Sequence, residues 1–414
     1  MTADDARLVG RLGVLLVFTW LVYPILNIVN YFIKPWGEGI DVYFSPSATK
    51  IFSSQLPSSW LASGVFLLVI SKFSRDEKIS IDQNKSNFKI CFNFWLRGLT
   101  IASLVFLVYA LFQYFTGFDF RRIGHSLGPQ NLVGNHYRIF GLYGHTLSVS
   151  SVGLLLFTFF WYLLFLGRVK LMPSMEKYRL YYDSSFFILA AINLCLVIMG
   201  GGRTSTITAL AIFAFFPLLH VRKKFKKSTL LFWGAFSLIV MVSYIFFTSG
   251  GERILRSLDL LMTKKFSEID ARFVFWRIHL NMFLDSPFLG IGASHLKYGA
   301  RDAYYALFGL EHFYRKYNAH NIYLEVLADI GILGTSLLGL SFFQLWKTIV
   351  RLIGGDKFLT VLWYALLSSI AANAIHGLTQ NVFYDANVVA VYLNLFWIFL
   401  WLILLKRSRQ RSEV

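Results

Sequence analysis

"YNAHNIYLEVLADIGILG", residues 317–334, opens with Asn318, His320 and Asn321 and then runs into an apolar stretch carrying Gly331 and Gly334. Where the membrane lies decides what this run is, and composition locates the membrane. The 414 residues are 56% hydrophobic and 18% aromatic but only 15% charged, against about 25% charged in an ordinary soluble domain. A mean hydropathy of +0.56 and repeated long apolar runs read as a polytopic membrane protein. The 42 Phe, 21 Tyr and 11 Trp suit large lipid-facing and interfacial surfaces. Cys91 and Cys195, the two cysteines, fall within or beside apolar runs and imply neither a disulfide framework nor a metal site.

A helix needs about 20 apolar residues to cross a bilayer. Ten candidates stand at 9–33, 57–73, 93–116, 146–167, 185–200, 204–219, 229–248, 322–346, 358–376 and 387–405. The opening run is too long for a cleavable signal and reads as a first membrane helix. The expected architecture is all-α: a single integral membrane domain over 1–414, a polytopic helix bundle of about 10–12 spans. One set of alternating loops holds "SKFSRDEKISIDQNKSNFK", "RVKLMPSMEKYR", "HVRKKFKK", "KTIVRLIGGDK" and the tail "KRSRQR". Their basic character assigns them, and both termini, to the cytoplasm. The formal charge of +18 is therefore largely orientation bias, and the short, scattered basic runs exclude nucleic acid as a partner.

The opposite loops, 34–56, 117–145, 249–320, 377–386 and the "GGGRT" turn, are then outside. The long loop 249–320 holds "DARFVFWRIHLNMFL", in which Phe273, Trp276, Leu280 and Phe283 recur at helical spacing, as in a helix lying on the membrane surface. Cations on this side run against the orientation bias. Arg203, in "VIMGGGRTSTITALAIF", has only a glycine turn between two apolar runs, and an ionisable group there is costly and usually functional. The glycines admit a ligand to the backbone, and the following Ser and Thr can cap the next helix, whose positive end favours an anion. An arginine so placed outlines a diphosphate receptor. His320, where the long loop re-enters the membrane, can take a proton from a sugar hydroxyl. Asn321 beside it can hydrogen-bond, and Gly331 and Gly334 are read as permitting close helix packing.

His320-Asn321, nine residues, then Gly331-Ile-Leu-Gly334 resembles the signature of the bacterial O-antigen ligase and polymerase family. "DARFVFWRIHLNMFLDSPFLGIGASHL" resembles that family's Arg…Trp…Pro-x-x-Gly-x-Gly stretch through Arg272, Trp276, Pro287, Gly290 and Gly292. "GGGRTSTI" resembles its Arg-x-x-x-Leu element, with Ile207 in place of the leucine. "YRIFGLYGH" resembles an upstream Arg-x-x-Gly-Leu segment at Arg138, Gly141 and Leu142. These pieces cover about 138–340 in the family's order.

The resemblance implies a multi-pass inner-membrane enzyme with a long periplasmic loop and its active site on the periplasmic side. Such an enzyme passes a glycan from undecaprenyl diphosphate to an acceptor sugar with no metal or other cofactor. It implies Arg203, Arg272 and His320 as catalytic groups, the arginines on the lipid diphosphate and the imidazole on the acceptor hydroxyl. Arg277, Arg138, Arg122 and Asn321 are the expected substrate-binding residues. The partners would be the lipid-linked donor glycan, a lipid A–core oligosaccharide or second lipid-linked glycan as acceptor, and membrane lipids. An O-antigen ligase is the reading adopted; a repeat-unit polymerase of the same family and a protein O-oligosaccharyltransferase are the other enzyme readings. A transporter or flippase is the reading from another class. Arg97, Asn193, Glu325 and Asp329, the conspicuous polar residues inside spans, are too few and scattered to outline a transport path.

Overall fold

The computed structural model describes residues 84–119, 132–133, 136–140, 145–167, 179–221, 272–291, 300–307 and 319–380, with isolated positions at 14, within 235–259 and within 388–403. The spans expected at 9–33, 57–73, 229–248 and 387–405 lie outside these residues, isolated positions apart, as does most of the loop 249–320. The described chain is all-α but for one short ladder. Its helices are α1 (Asn84–Thr116), α2 (Thr146–Gly167), α3 (Arg179–Gly200), α4 (Arg203–Val221), α5 (Arg272–Asp285), α6 (Ala300–Leu307), α7 (Ile322–Ile353) and α8 (Lys357–His376). The ladder pairs β1 (Leu132–Val133) with β2 (His136–Tyr137) in antiparallel register, Leu132 opposite Tyr137. Five helices, α1, α2, α3, α7 and α8, hold stretches long and apolar enough to cross a membrane. The expected membrane bundle is present.

Why α2 lies at the centre is legible in its residues. "TLSVSSVGLLLFTFFWYLLFLG" is apolar all round and carries no charge, so no face of it needs water. It is buried along nearly its whole length, whereas α1 presents most of its length outward. At one end Ser148, Ser150 and Ser151 let neighbours approach closely; at the other Phe157, Phe160 and Trp161 fill the space. Phe160 stacks on Phe186 of α3 with ring centroids 6.1 Å apart, and Trp161 on Phe213 of α4 at 4.9 Å. On the far side Asn373 Nδ2 of α8 donates to Ser151 O at 3.4 Å. In a bilayer such packing and interhelical hydrogen bonding, rather than escape from water, hold helices together.

The helices alternate in direction, so α1, α3 and α8 end where α2, α4 and α7 begin. At that end Phe140 N donates to Gln113 Oε1 at 2.7 Å, Ile139 N to Met199 O at 3.4 Å and Ile322 N to Gly377 O at 2.8 Å. Lys347, Arg351 and Lys357 mark the opposite, basic end of the α7–α8 pair.

Helix α7 is not continuous. Gly331 stands at φ 60°, ψ −171° inside it, breaking the helical path about three turns below His320. The turn after α5 fills the break. Ile332 N donates to Pro287 O at 2.8 Å and Leu333 N to Phe288 O at 3.0 Å, while Ile291 N donates to Ala328 O at 2.9 Å. The peptide groups freed by the break thus find partners in a neighbouring loop, the condition for non-helical backbone at membrane depth. Gly331 and Gly290 sit with positive φ where the two backbones touch, and a Cβ on either would overlap the other segment's main chain. The expectation that Gly331 serves smooth helix–helix packing is corrected here: it opens the helix for a docked loop.

Gly331→Ala should lower stability by about 2 kcal/mol or more, from backbone strain and overlap. Gly339→Ala, in the same helix with open space around it, should fall within about 1 kcal/mol of the parent on the stabilising side. Thermal unfolding of the two variants in detergent makes the comparison.

Candidate functional site

Gly377-Leu-Thr-Gln380, the turn that ends α8, touches the Arg203 and His320 segments, and the residue before it faces the Arg272 segment. Gly377 O accepts from Ile322 N, the first residue of α7. Thr379 Oγ1 donates to Thr204 Oγ1 at 2.6 Å, holding the residue next to Arg203. Gln380 Oε1 lies 3.3 Å from His320 Nδ1. His376, just before the turn, is within electrostatic reach of Arg272 at the start of α5. One turn along α5, the Phe275 ring lies against the His320 ring, centroids 6.2 Å apart. Three segments distant in sequence, carrying Arg203, Arg272 and His320, therefore meet around one turn.

His320 takes φ 47°, the sole positive φ of a non-glycine among the described residues. Histidine tolerates this left-handed region better than most residues, and backbone held there tends to serve a site. The imidazole is half-buried. The Gln380 carbonyl oxygen facing Nδ1 favours the tautomer with its proton there, the one that makes Nε2 the acceptor. Asn321, buried, caps α7: its Oδ1 accepts from Tyr323 N at 3.0 Å and Leu324 N at 3.2 Å. The cap fixes where the helix starts and so where His320 points.

The loop before His320 is tied from below. Glu325 Oε2 accepts from Ala319 N at 2.6 Å and lies 3.4 Å from His279 Nε2 of α5. His279 Nδ1 donates to Phe275 O at 2.8 Å, so an ion pair with the carboxylate calls for a second proton, on Nε2. His279 and Glu325 are both buried, and the pair clamps α5 to the start of α7. Beyond it, Tyr304 of α6 donates to Asp285 Oδ2 at the end of α5. Burial and the adjacent Asp285 carboxylate push the Tyr304 phenol above its ordinary value, keeping it a donor.

Arg203 is half-buried and opens α4. Its helix starts differently from expectation: Ser205 Oγ donates to Gly202 O at 2.8 Å, so this hydroxyl is not an N-cap acceptor. Gly202 takes the cap position, its carbonyl accepting from Thr206 N at 2.9 Å. Arg138 lies on the same glycine turn, Nε and Nη2 each 3.4 Å from Gly200 O. A Cβ on Gly201, at φ 67°, would press on that guanidinium stem. Arg277 is exposed on α5. Arg122, Gly141, Leu142 and Gly292 lie outside the described residues. The face α5 buries is Phe275, Ile278, His279 and Met282, while Phe273 and Leu280 of the stripe read from the sequence stay exposed.

Glu325, His279 and His376 were not marked as site residues by sequence. A signal existed for His376, which like His320 lies at the edge of an apolar run, followed by glycine. Among the described residues, no three His, Cys, Asp or Glu side chains are grouped to hold a metal ion.

The family model described as O-antigen ligase matches residues 187–339, from within α3 to beyond the Gly331 break, and supports membership of that family. No curated protein matches the chain. The matched stretch includes Arg203, Arg272, His279, His320 and Glu325.

Replacing Glu325 by Ala should cost about 3 kcal/mol, because it strands a buried imidazole and a buried N–H. Glu325→Gln keeps an acceptor for Ala319 and should cost less than half of that. Unfolding midpoints in detergent, with Glu325→Gln as internal control, give the order.

Proposed function

We propose, from membership of the O-antigen ligase family as premise, that this chain is a membrane glycosyltransferase acting in O-antigen and lipopolysaccharide assembly. Its donor is an undecaprenyl-diphosphate-linked O-antigen polysaccharide and its acceptor a sugar of the lipid A–core. It works in the bacterial inner membrane, with the α7–α8 basic end cytoplasmic and the site on the periplasmic side. The observation that carries this reading is the meeting of an arginine-bearing helix start, a second arginine and a left-handed histidine around Gly377–Gln380.

In the proposed reaction Arg203 and Arg272 hold the lipid diphosphate. Their planar forks meet phosphate oxygens in pairs, which a lysine ammonium does not. The positive end of α4 adds to the field at Arg203. The acceptor hydroxyl gives its proton to His320 Nε2 while its oxygen bonds to the anomeric carbon. The bond from that carbon to the phosphate oxygen breaks, and lipid diphosphate leaves with the electron pair. Charge grows on the leaving group, where preorganised guanidinium groups stabilise it most. One displacement inverts the anomeric centre. Arg138 steadies the turn that carries Arg203, Asn321 orients the histidine, Arg277 is a second candidate for the diphosphate, and Arg122 is a further substrate-binding candidate. No step in this scheme calls on a metal ion.

His320→Ala should abolish transfer, a loss of about 100-fold or more, with normal protein levels in the membrane. Arg203→Lys should also fail, since charge survives and the fork does not; full activity in that variant would refute diphosphate binding there. Chelator should leave the purified enzyme unchanged. A null strain examined by lipopolysaccharide gel should show free lipid-linked chains and bare core; core bearing a single repeat would indicate the polymerase reading instead.

A further inference from the structure

His376 is the last residue of α8 and is 1% exposed. Neither ring nitrogen finds a hydrogen-bond partner among the described residues. Buried polar atoms are nearly always satisfied, and one that is not asks for an explanation. Covering such an imidazole without partners is unfavourable, and a bound ligand that pairs with it would remove that cost.

The surroundings indicate what completes it. Arg272 is the charged group that acts on the ring. The turn following it carries the contacts to Ile322, through the Gly377 carbonyl, and to Thr204 and His320, through the Thr379 and Gln380 side chains, and Thr379 Oγ1 also lies 3.3 Å from His376 O. The ring is thus enclosed where the two arginine-bearing helix starts and the His320 loop come together. A neutral imidazole offers one acceptor and one donor. Beside a guanidinium, which only donates, its acceptor nitrogen suits Arg272, and its N–H is left for an anion.

We propose that His376 is a further donor-binding residue: one ring nitrogen accepts from the Arg272 guanidinium and orients it, and the other donates its N–H to an oxygen of the lipid diphosphate. This rests on the function proposed above, and it predicts a defect confined to the donor side of the reaction.

The test uses the full-length protein in detergent, with lipid-linked donor and lipid A–core acceptor varied separately. His376→Phe keeps a ring of similar size without nitrogen. Its donor KM should rise about tenfold or more, as loss of one hydrogen bond to a charged group implies, with acceptor KM and thermal stability unchanged. His376→Gln, which keeps a donor and an acceptor, should recover most of that loss. An unchanged donor KM in His376→Phe, or equal rises in both KM values, overturns the proposal. Should the Phe variant not accumulate, ring-nitrogen spectra of the parent protein decide. Undecaprenyl diphosphate must shift the resonance that His376→Gln removes, and an unmoved resonance refutes the contact. If the parent protein transfers nothing from the lipid-linked donor, the function reading itself has failed; parental transfer with indifferent His376 variants fails this inference alone.

Discussion

A helix that crosses a membrane cannot stop hydrogen-bonding halfway, yet α7 does so at Gly331. The break is tolerable because the Pro287–Ile291 segment supplies the missing carbonyls and takes up the orphaned one at Ala328. Two backbones in contact leave no room for a side chain on either, which is why both Gly290 and Gly331 have positive φ at the junction. That junction couples the end of α5 to the middle of α7. The Glu325–His279 pair couples the middle of α5 to the first turn of α7. Together they hold α5 parallel to the upper part of α7, with Arg272 and His320 at the same level.

The site follows from alternation of helix direction. Because α3 and α8 finish where α4 and α7 begin, four termini converge at one end of the bundle. Helix termini are where backbone turns and polar side chains can sit without breaking a span. The Gly377–Gln380 turn exploits this. It hydrogen-bonds into α7, reaches Thr204 of α4 and faces His320. A rigid, apolar core around α2 stands beneath it, with Trp161, Phe160 and Trp363 packed by aromatic stacking. Polar groups of exact orientation are thus mounted on helices that have little freedom to move, the arrangement electrostatic stabilisation requires.

Much of this was legible in residues alone. The apolar runs at 93–116, 146–167, 185–200, 322–346 and 358–376 each became a spanning helix, because run length in a bilayer is set by its thickness and not by tertiary context. Arg203 and His320 stood out because a charge or an imidazole at the edge of an oily run is costly unless it is used. Less accessible were residues whose role depends on a partner elsewhere in the chain. Glu325 reads as one polar residue in a span until Ala319 and His279 are seen on it. Ser205 reads as a cap until its hydroxyl is found on Gly202 O.

Composition and periodicity determined that the chain is an all-α membrane bundle and where five of its helices long and apolar enough to cross a membrane lie. Those properties depend on transfer between water and lipid, a quantity each segment carries by itself. Only the tertiary structure decided that Gly331 is a break, that α5 buries Phe275 and His279 rather than Phe273 and Leu280, and that His376 is enclosed at the end of α8. Each of these is a pairing between segments far apart in the chain, and no local pattern encodes which distant backbone will supply a missing hydrogen bond.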